Sequence, residues 1–147
     1  MRINRKAFAA AIAPVVAAGA LLAPAVASAQ PSKGFDVHNN TPYQMKLSLV
    51  TGSTEYSGPA VGSVIAPGGS QHFELNYNGP FGKQPTVLAD YNFYNGSKVL
   101  GWVEAQMWND VFNGGHVHCN AGAGGSPFQC DHPGWDSGDQ ITFSKKS

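Results

Sequence analysis

The sequence is poor in charge, and its arginines are confined to the first five residues. Only 12% of the 147 residues are charged, and Arg2 and Arg5 are the only arginines. Nucleic-acid binding needs clustered lysine and arginine side chains to displace counterions from phosphates. Beyond residue 29, six scattered lysines stand against nine acidic residues, which gives a net charge of −3. We therefore expect no nucleic-acid partner.

The motifs of common enzyme classes are lacking as well. The chain contains no G-x-S-x-G nucleophile elbow, no glycine-rich phosphate loop and no dinucleotide-binding fingerprint. Asp90 and Glu104 are predicted on opposite faces of one hairpin, where they cannot act as the paired carboxylates of a glycosidase. These absences favour a protein that is not an enzyme.

The first 29 residues have the pattern of a signal peptide that is removed on export. A basic start is followed by an apolar stretch over residues 7–26 and by the small residues Ala27–Ala29. The apolar stretch is long enough to span a bilayer, so a retained anchor is the alternative, but two prolines and a glycine interrupt it. The alanine-rich leader resembles those of secreted actinobacterial proteins. We predict a secreted chain with one domain over residues 30–147.

Only two cysteines are present, Cys119 and Cys130, and both lie in the part predicted to be exported. An oxidising compartment favours a disulfide between them. A redox pair or a thiolate metal site is the alternative, but either one typically has the closer C-x-x-C spacing. Closing so short a loop stabilises the fold by about 3 kcal/mol.

Apolar residues recur at every second position over much of the chain, whereas helical periodicity is nearly absent. Tyr43, Met45 and Leu47 alternate with polar neighbours, and turn residues interrupt the chain about every eight to twelve residues. This pattern is typical of a sandwich or a barrel. We predict an all-β fold, a small antiparallel β-sandwich of about eight short strands with one disulfide, and a partly open barrel is the alternative.

The clearest local signal is a hairpin at Asn95-Gly96, because this dipeptide adopts the positive φ angles of a two-residue turn. If these two residues form the loop, one face of the hairpin has the composition of a core. Glu104 then lies at the far end of the same face, with its carboxylate at the rim. The predicted core face consists of Val87, Ala89, Tyr91, Phe93, Leu100 and Trp102.

Histidines cluster around the predicted disulfide. His116 and His118 are two residues apart, so they share a strand face, and the disulfide brings them near Asp131 and His132. His116, His118 and His132 are thus candidate ligands for Zn²⁺ or Cu²⁺. The alternative is that they are ordinary polar loop residues in a protein without a cofactor.

Four aromatic residues lie in or beside the glycine-rich loops of the C-terminal part: Trp108, Phe112, Phe128 and Trp135. Aromatic rings on loops can stack on sugars or enter a membrane interface. They are candidate ligand-binding residues, and the alternative is that they cap the open end of the sandwich.

Residues 37–73 contain three stretches, VHNNTPYQMKLSLVTG, SGP and IAPGGSQHF. This segment resembles the beginning of the aegerolysin and actinoporin-like β-sandwiches. The resemblance implies binding to membrane lipids, and it assigns no binding residue in this chain.

Together these features favour a secreted, non-catalytic protein that binds a membrane lipid or a cell-surface glycan through its loops. One alternative is an extracellular metal-binding protein or metal-dependent enzyme that uses the histidines. Another is a structural or antigenic surface protein.

Overall fold

The computed structural model describes residues 32–53, 56–76, 84–110 and 114–147. The predicted leader and Phe112 lie outside these ranges. The described residues form β1 (Ser32–Asn40), β2 (Gln44–Gly52), β3 (Tyr56–Ser57), β4 (Val64–Ile65), β5 (Ser70–Asn76), β6 (Thr86–Asn95), β7 (Lys98–Asp110), β8 (Gly114–Asn120), β9 (Phe128–Cys130), β10 (Asp136–Ser137) and β11 (Gln140–Lys145).

The strands form two sheets, and no helix occurs in the described ranges. The five-stranded sheet has the order β3-β5-β1-β11-β9, and the six-stranded sheet has the order β10-β8-β7-β6-β2-β4. The predicted all-β sandwich is confirmed, and eight of the eleven strands are longer than two residues. The pairing is antiparallel apart from β1 and β11, which run parallel.

The core lies between the two sheets because alternate side chains of both point inward. In β1 the inward residues are Phe35 and Val37, and in β6 Val87, Ala89 and Tyr91 begin the inward row. All of these are nearly or fully buried, and burying a large apolar side chain contributes about 1.5–3 kcal/mol. One continuous cluster therefore holds the two sheets together.

The hairpin between β6 and β7 is confirmed, but its turn is displaced by one residue. Asn95 pairs with Lys98, so Gly96 and Ser97 are the turn residues. Gly96 has a φ of 60°, and every residue with a positive φ in the described ranges is a glycine. This is the turn with glycine at the first central position, rather than the Asn-Gly turn with two positive φ angles.

A β-bulge follows this turn. Tyr94 pairs with Val99, but the next residue back along β6, Phe93, pairs with Gly101. Leu100 is thus an extra residue in β7, and it shifts the register by one. A shift of one residue sends every later side chain of the strand to the opposite face.

The bulge makes two predictions wrong. Trp102, expected in the core, is 45% exposed on the outer face of the six-stranded sheet. Glu104 is not on the core face but directly opposite Asp90 on that same outer face. The inward residues of β7 are instead Val103, Ala105 and Met107.

The buried Asn39 fastens the end of β1 to two neighbouring segments. Its Nδ2 donates to the carbonyl oxygens of Tyr43, at 2.7 Å, and of Ile65, at 3.2 Å. Its Oδ1 accepts hydrogen bonds from the backbone N–H and the hydroxyl of Thr41. Because each polar atom of the Asn39 side chain has a partner, this side chain can lie in the core at no uncompensated cost.

The predicted disulfide between Cys119 and Cys130 is confirmed. Cys119 lies in β8 of the six-stranded sheet and Cys130 in β9 of the five-stranded sheet, so the bond joins the two layers. In the part of the chain that the structure describes, no helix has the length and the apolar character needed to span a bilayer.

Candidate functional site

The two outer faces of the sandwich differ in character. In the described ranges, the outer face of the five-stranded sheet carries no Trp, Tyr or Phe. At its centre His72 bonds Asp36 through Nδ1 at 2.8 Å and Glu74 through Nε2 at 3.2 Å, and these carboxylates raise the pKa of His72. The outer face of the six-stranded sheet carries tryptophans, histidines, amides and carboxylates, and we describe it as the candidate site.

Four rings at one end of this face pack on one another, and we call them the ring stack: Trp108, His116, His118 and Trp135. Trp108 and His116 are cross-strand partners in β7 and β8, with ring centroids 4.9 Å apart. Trp135, from the loop before β10, packs on Trp108 at 4.4 Å and on His118 at 4.7 Å. Trp135 is 53% exposed, whereas Trp108, His116 and His118 are only partly exposed, so the indole of Trp135 is the ring of the stack most open to solvent.

A cleft of about 290 Å³ opens beside the ring stack. Trp108 and Trp135 form one wall, and Thr51, Leu88 and Gln106 from the three neighbouring strands contribute to the lining. An apolar ring wall with a few polar groups is the usual composition of a small-ligand site.

Three buried polar side-chain atoms in the described ranges have no hydrogen-bond partner, and all three lie on this face. They are Trp108 Nε1, His118 Nδ1 and Asp90 Oδ1. Most buried polar groups in proteins are paired, and leaving one unpaired costs about 1–3 kcal/mol. One of these atoms, Trp108 Nε1, belongs to a residue that lines the cleft, and the described part of the opposite face has no buried polar side-chain atom of this kind.

Asp90 and Glu104 form a cross-strand carboxylate pair at the centre of the face. Burial, and then the nearby charge of Glu104, raise the pKa of Asp90 above its ordinary value. Glu104 Oε1 accepts a hydrogen bond from Gln106 Nε2 at 2.6 Å. Gln106 therefore keeps its carbonyl oxygen free of this bond and available on the wall of the cleft.

The predicted aromatic residues separate into two groups. Trp108 and Trp135 come together at the cleft, although Trp108 lies within β7 rather than in a loop. Phe128 is fully buried and stacks on Phe93 with ring centroids 3.8 Å apart, so it is a core residue and is closed to a ligand. Phe112 lies outside the described residues.

The predicted histidine ligands do not converge. His116 and His118 share a face as expected, but each stacks on a tryptophan. His132 instead approaches two carboxylates, Asp136 at 3.4 Å and Asp131 at 4.0 Å. Within the described ranges, no group of three His, Cys, Asp or Glu residues is placed to hold a metal ion.

Sequence reasoning missed Trp102, Gln106 and the pairing of Asp90 with Glu104. All lie on β6 and β7, and the unrecognised bulge interchanges the faces of β7 relative to the prediction, whereas the predicted inward residues of β6 are buried. The signal that was present is Gly101, since a glycine within a strand often marks a bulge or a close approach. A β-carbon at Gly101 would lie 3.1 Å from the ring of Phe128.

The fold and this face define an all-β sandwich with one polar and aromatic outer face. No protein-family model matches the chain, and no curated protein matches it. The resemblance to aegerolysin and actinoporin-like proteins therefore stays a prediction.

Proposed function

We propose that this protein is secreted and binds a cell-surface glycan, without catalysis, on the outer face of its six-stranded sheet. The cleft beside Trp108 and Trp135 holds the sugar. The observation that carries the proposal is the exposed indole of Trp135 beside a cleft that is lined by both apolar and polar residues, among them Leu88, Thr51 and Gln106. The proposed binding surface is therefore a face of a sheet, whereas the sequence predicted that loops bind the ligand.

The chemistry of a sugar ring fits this cleft. A pyranose has an apolar C–H face that packs on an indole, and its hydroxyl groups both donate and accept hydrogen bonds. Gln106 contributes an amide to the lining, and Trp108, also a lining residue, has a buried indole N–H without a partner. A sugar hydroxyl reaches this N–H only if the rings of the stack move apart.

A glycan fits the charges of this face better than an anionic lipid does. Lipid-binding surfaces gather lysine and arginine to attract acidic headgroups. Here the described residues at the centre of the face are the carboxylates of Asp90 and Glu104, flanked by the amide of Gln106. Carboxylates repel an acidic headgroup, whereas amides and carboxylates are ordinary partners of sugar hydroxyls.

Secretion is part of the proposal and is supported by two features. The disulfide between Cys119 and Cys130 is typical of an oxidising compartment. The first 29 residues have the sequence pattern of an export signal.

Co-sedimentation of the chain without residues 1–29 tests the proposal. The panel contains insoluble cellulose, chitin, xylan and β-1,3-glucan, together with liposomes of neutral and of acidic lipid. We expect retention by at least one polysaccharide and by neither liposome. Retention by liposomes alone, or by nothing in the panel, would contradict the proposal.

Two variants locate the site. Trp135→Ala removes the exposed ring and is expected to weaken binding to the retained polysaccharide by about tenfold, equivalent to about 1.4 kcal/mol. Val61→Ala is the matched control, because Val61 is 60% exposed but does not line the cleft. Equal affinity for the two variants would show that the ligand binds elsewhere.

A further inference from the structure

We infer that the ligand is an extended polysaccharide chain that lies along β7 from the ring stack to Trp102, rather than a single or terminal sugar. This inference rests on the proposed function and adds the class and the direction of the ligand. The starting observation is Trp102, a second exposed tryptophan, which lies on β7, the strand that also carries Trp108.

Four residues of β7 alternate on the outer face: Trp102, Glu104, Gln106 and Trp108. A strand rises about 3.4 Å per residue, so the two tryptophans at the ends of this row are about 20 Å apart. That separation is far longer than one sugar ring. A single ligand can contact both stacking positions only if it has several linked rings.

Trp102 also borders a cleft of its own. This cleft has a volume of about 230 Å³ and lies between Leu100 to Trp102 and the loop over residues 122–127. Trp102 is 45% exposed, and the ring is held on the outer face by the register that the bulge sets. The face thus has an indole beside a cleft at each end of the row.

The strip between the two clefts is polar. Glu104 and Gln106 are joined by a 2.6 Å hydrogen bond, and Asp90 lies opposite Glu104 with one oxygen unpaired. Amide and carboxylate oxygens accept hydrogen bonds from hydroxyl groups. A chain with hydroxyl groups along its whole length can contact every part of the face, whereas a monosaccharide can contact only one end.

The arrangement predicts that affinity depends on ligand length. Isothermal titration would use soluble oligosaccharides of the polysaccharide that co-sediments, from the monosaccharide upward. We expect affinity to rise with length until the ligand spans both clefts, and then to level off. For the longest oligomer, Trp102→Ala is expected to lower affinity about tenfold, with no change for the shortest ligand that binds.

Two further variants separate a ring contact from a general disturbance of the strand. Trp102→Phe keeps an aromatic ring and is expected to retain most of the affinity for long oligomers. Val99→Ala changes a residue of β7 that is 51% exposed outside either cleft, and it is expected to have no effect at any length. Thermal unfolding confirms that each variant is folded.

The outcomes distinguish this inference from the proposed function. If short and long oligomers bind equally well, or if Trp102→Ala has no effect on long ones, the inference is overturned while glycan binding stands. If no polysaccharide is retained, both fail. Length-dependent binding that is lost with Trp102 supports both.

Discussion

Replacing Phe128 with alanine tests the boundary between core and site most directly, because the sequence pattern suggested a ligand contact at this position. The Phe128 ring is fully buried, stacks on Phe93 at 3.8 Å and meets Tyr43 edge to face at 6.3 Å. It also packs against Gly101, which has no side chain to fill a void. The truncation should therefore leave a cavity that the surroundings cannot close.

Truncation of a buried phenylalanine lowers the free energy of unfolding by about 3–5 kcal/mol. Because the surrounding residues cannot fill the cavity, we expect a loss of about 4 kcal/mol for Phe128→Ala. For a domain of this size, that loss lowers Tm by about 15 °C. Thermal and urea unfolding followed by circular dichroism measure both quantities. Glycan binding, measured well below the new Tm, should be unchanged.

Trp135→Ala is the counterpart, since the reasoning predicts the opposite result for it. Trp135 is half exposed, so its removal should change the unfolding free energy by less than about 1 kcal/mol while it weakens binding. A Tm of Phe128→Ala within a few degrees of the parent would refute the placement of this ring in the core. So would loss of binding by Phe128→Ala while the protein remains folded.

Three further predictions concern stability. Replacing Cys119 and Cys130 together with alanine should lower the unfolding free energy by about 3 kcal/mol, because the bond closes a loop with a sequence separation of 11. Urea unfolding under oxidising conditions measures this loss, and an unchanged midpoint would contradict the prediction. Asn39→Ala should lower the unfolding free energy by at least about 2 kcal/mol, since it removes several buried hydrogen bonds at once. Urea unfolding measures this loss as well, and a loss below about 0.5 kcal/mol would show that water replaces the side chain. Asp90→Asn should stabilise the protein at neutral pH, because burial and Glu104 raise the pKa of Asp90 and so make its ionised form unfavourable in the fold. The parent should gain stability as the pH falls through the raised pKa toward 3.8, so the advantage of Asp90→Asn should shrink over that range; an advantage that persists at lower pH would point to a cause other than ionisation.

The fold class could be predicted from the sequence because strand patterns are local. Phe35 and Val37 alternate with polar neighbours, and so do Met45 and Leu47. This alternation identifies half-buried strands without any knowledge of their partners. The disulfide was predictable for a different reason, since the chain contains only two cysteines. The export signal stays a prediction from the sequence pattern, because the first 29 residues lie outside the described ranges.

Two residues of the candidate site, Trp108 and Trp135, were predicted as ligand-binding residues, but the rest of the site could not be predicted, because it depends on register between strands. One extra residue at Leu100 interchanges the faces of β7, moves Trp102 outward and places Glu104 opposite Asp90. Gly101 is a local signal of the bulge, but the spacing of Leu100 and Trp102 favours a regular hairpin, since core residues have the same spacing. Packing decided it: Gly101 allows the ring of Phe128 to approach, and a bulkier residue there would not.

The sequence by itself determined the strand pattern, the β6–β7 hairpin to within one residue of its turn, and the cysteine pair, because each follows from spacing along the chain. Only the tertiary structure decided which rings are buried and which can meet a ligand. Trp135 is distant from Trp108 in sequence, and the two rings meet because β10 pairs with β8, which pairs with β7. A face assembled from separate strands has no signature in any one of them, since its members become neighbours only when the sheet forms.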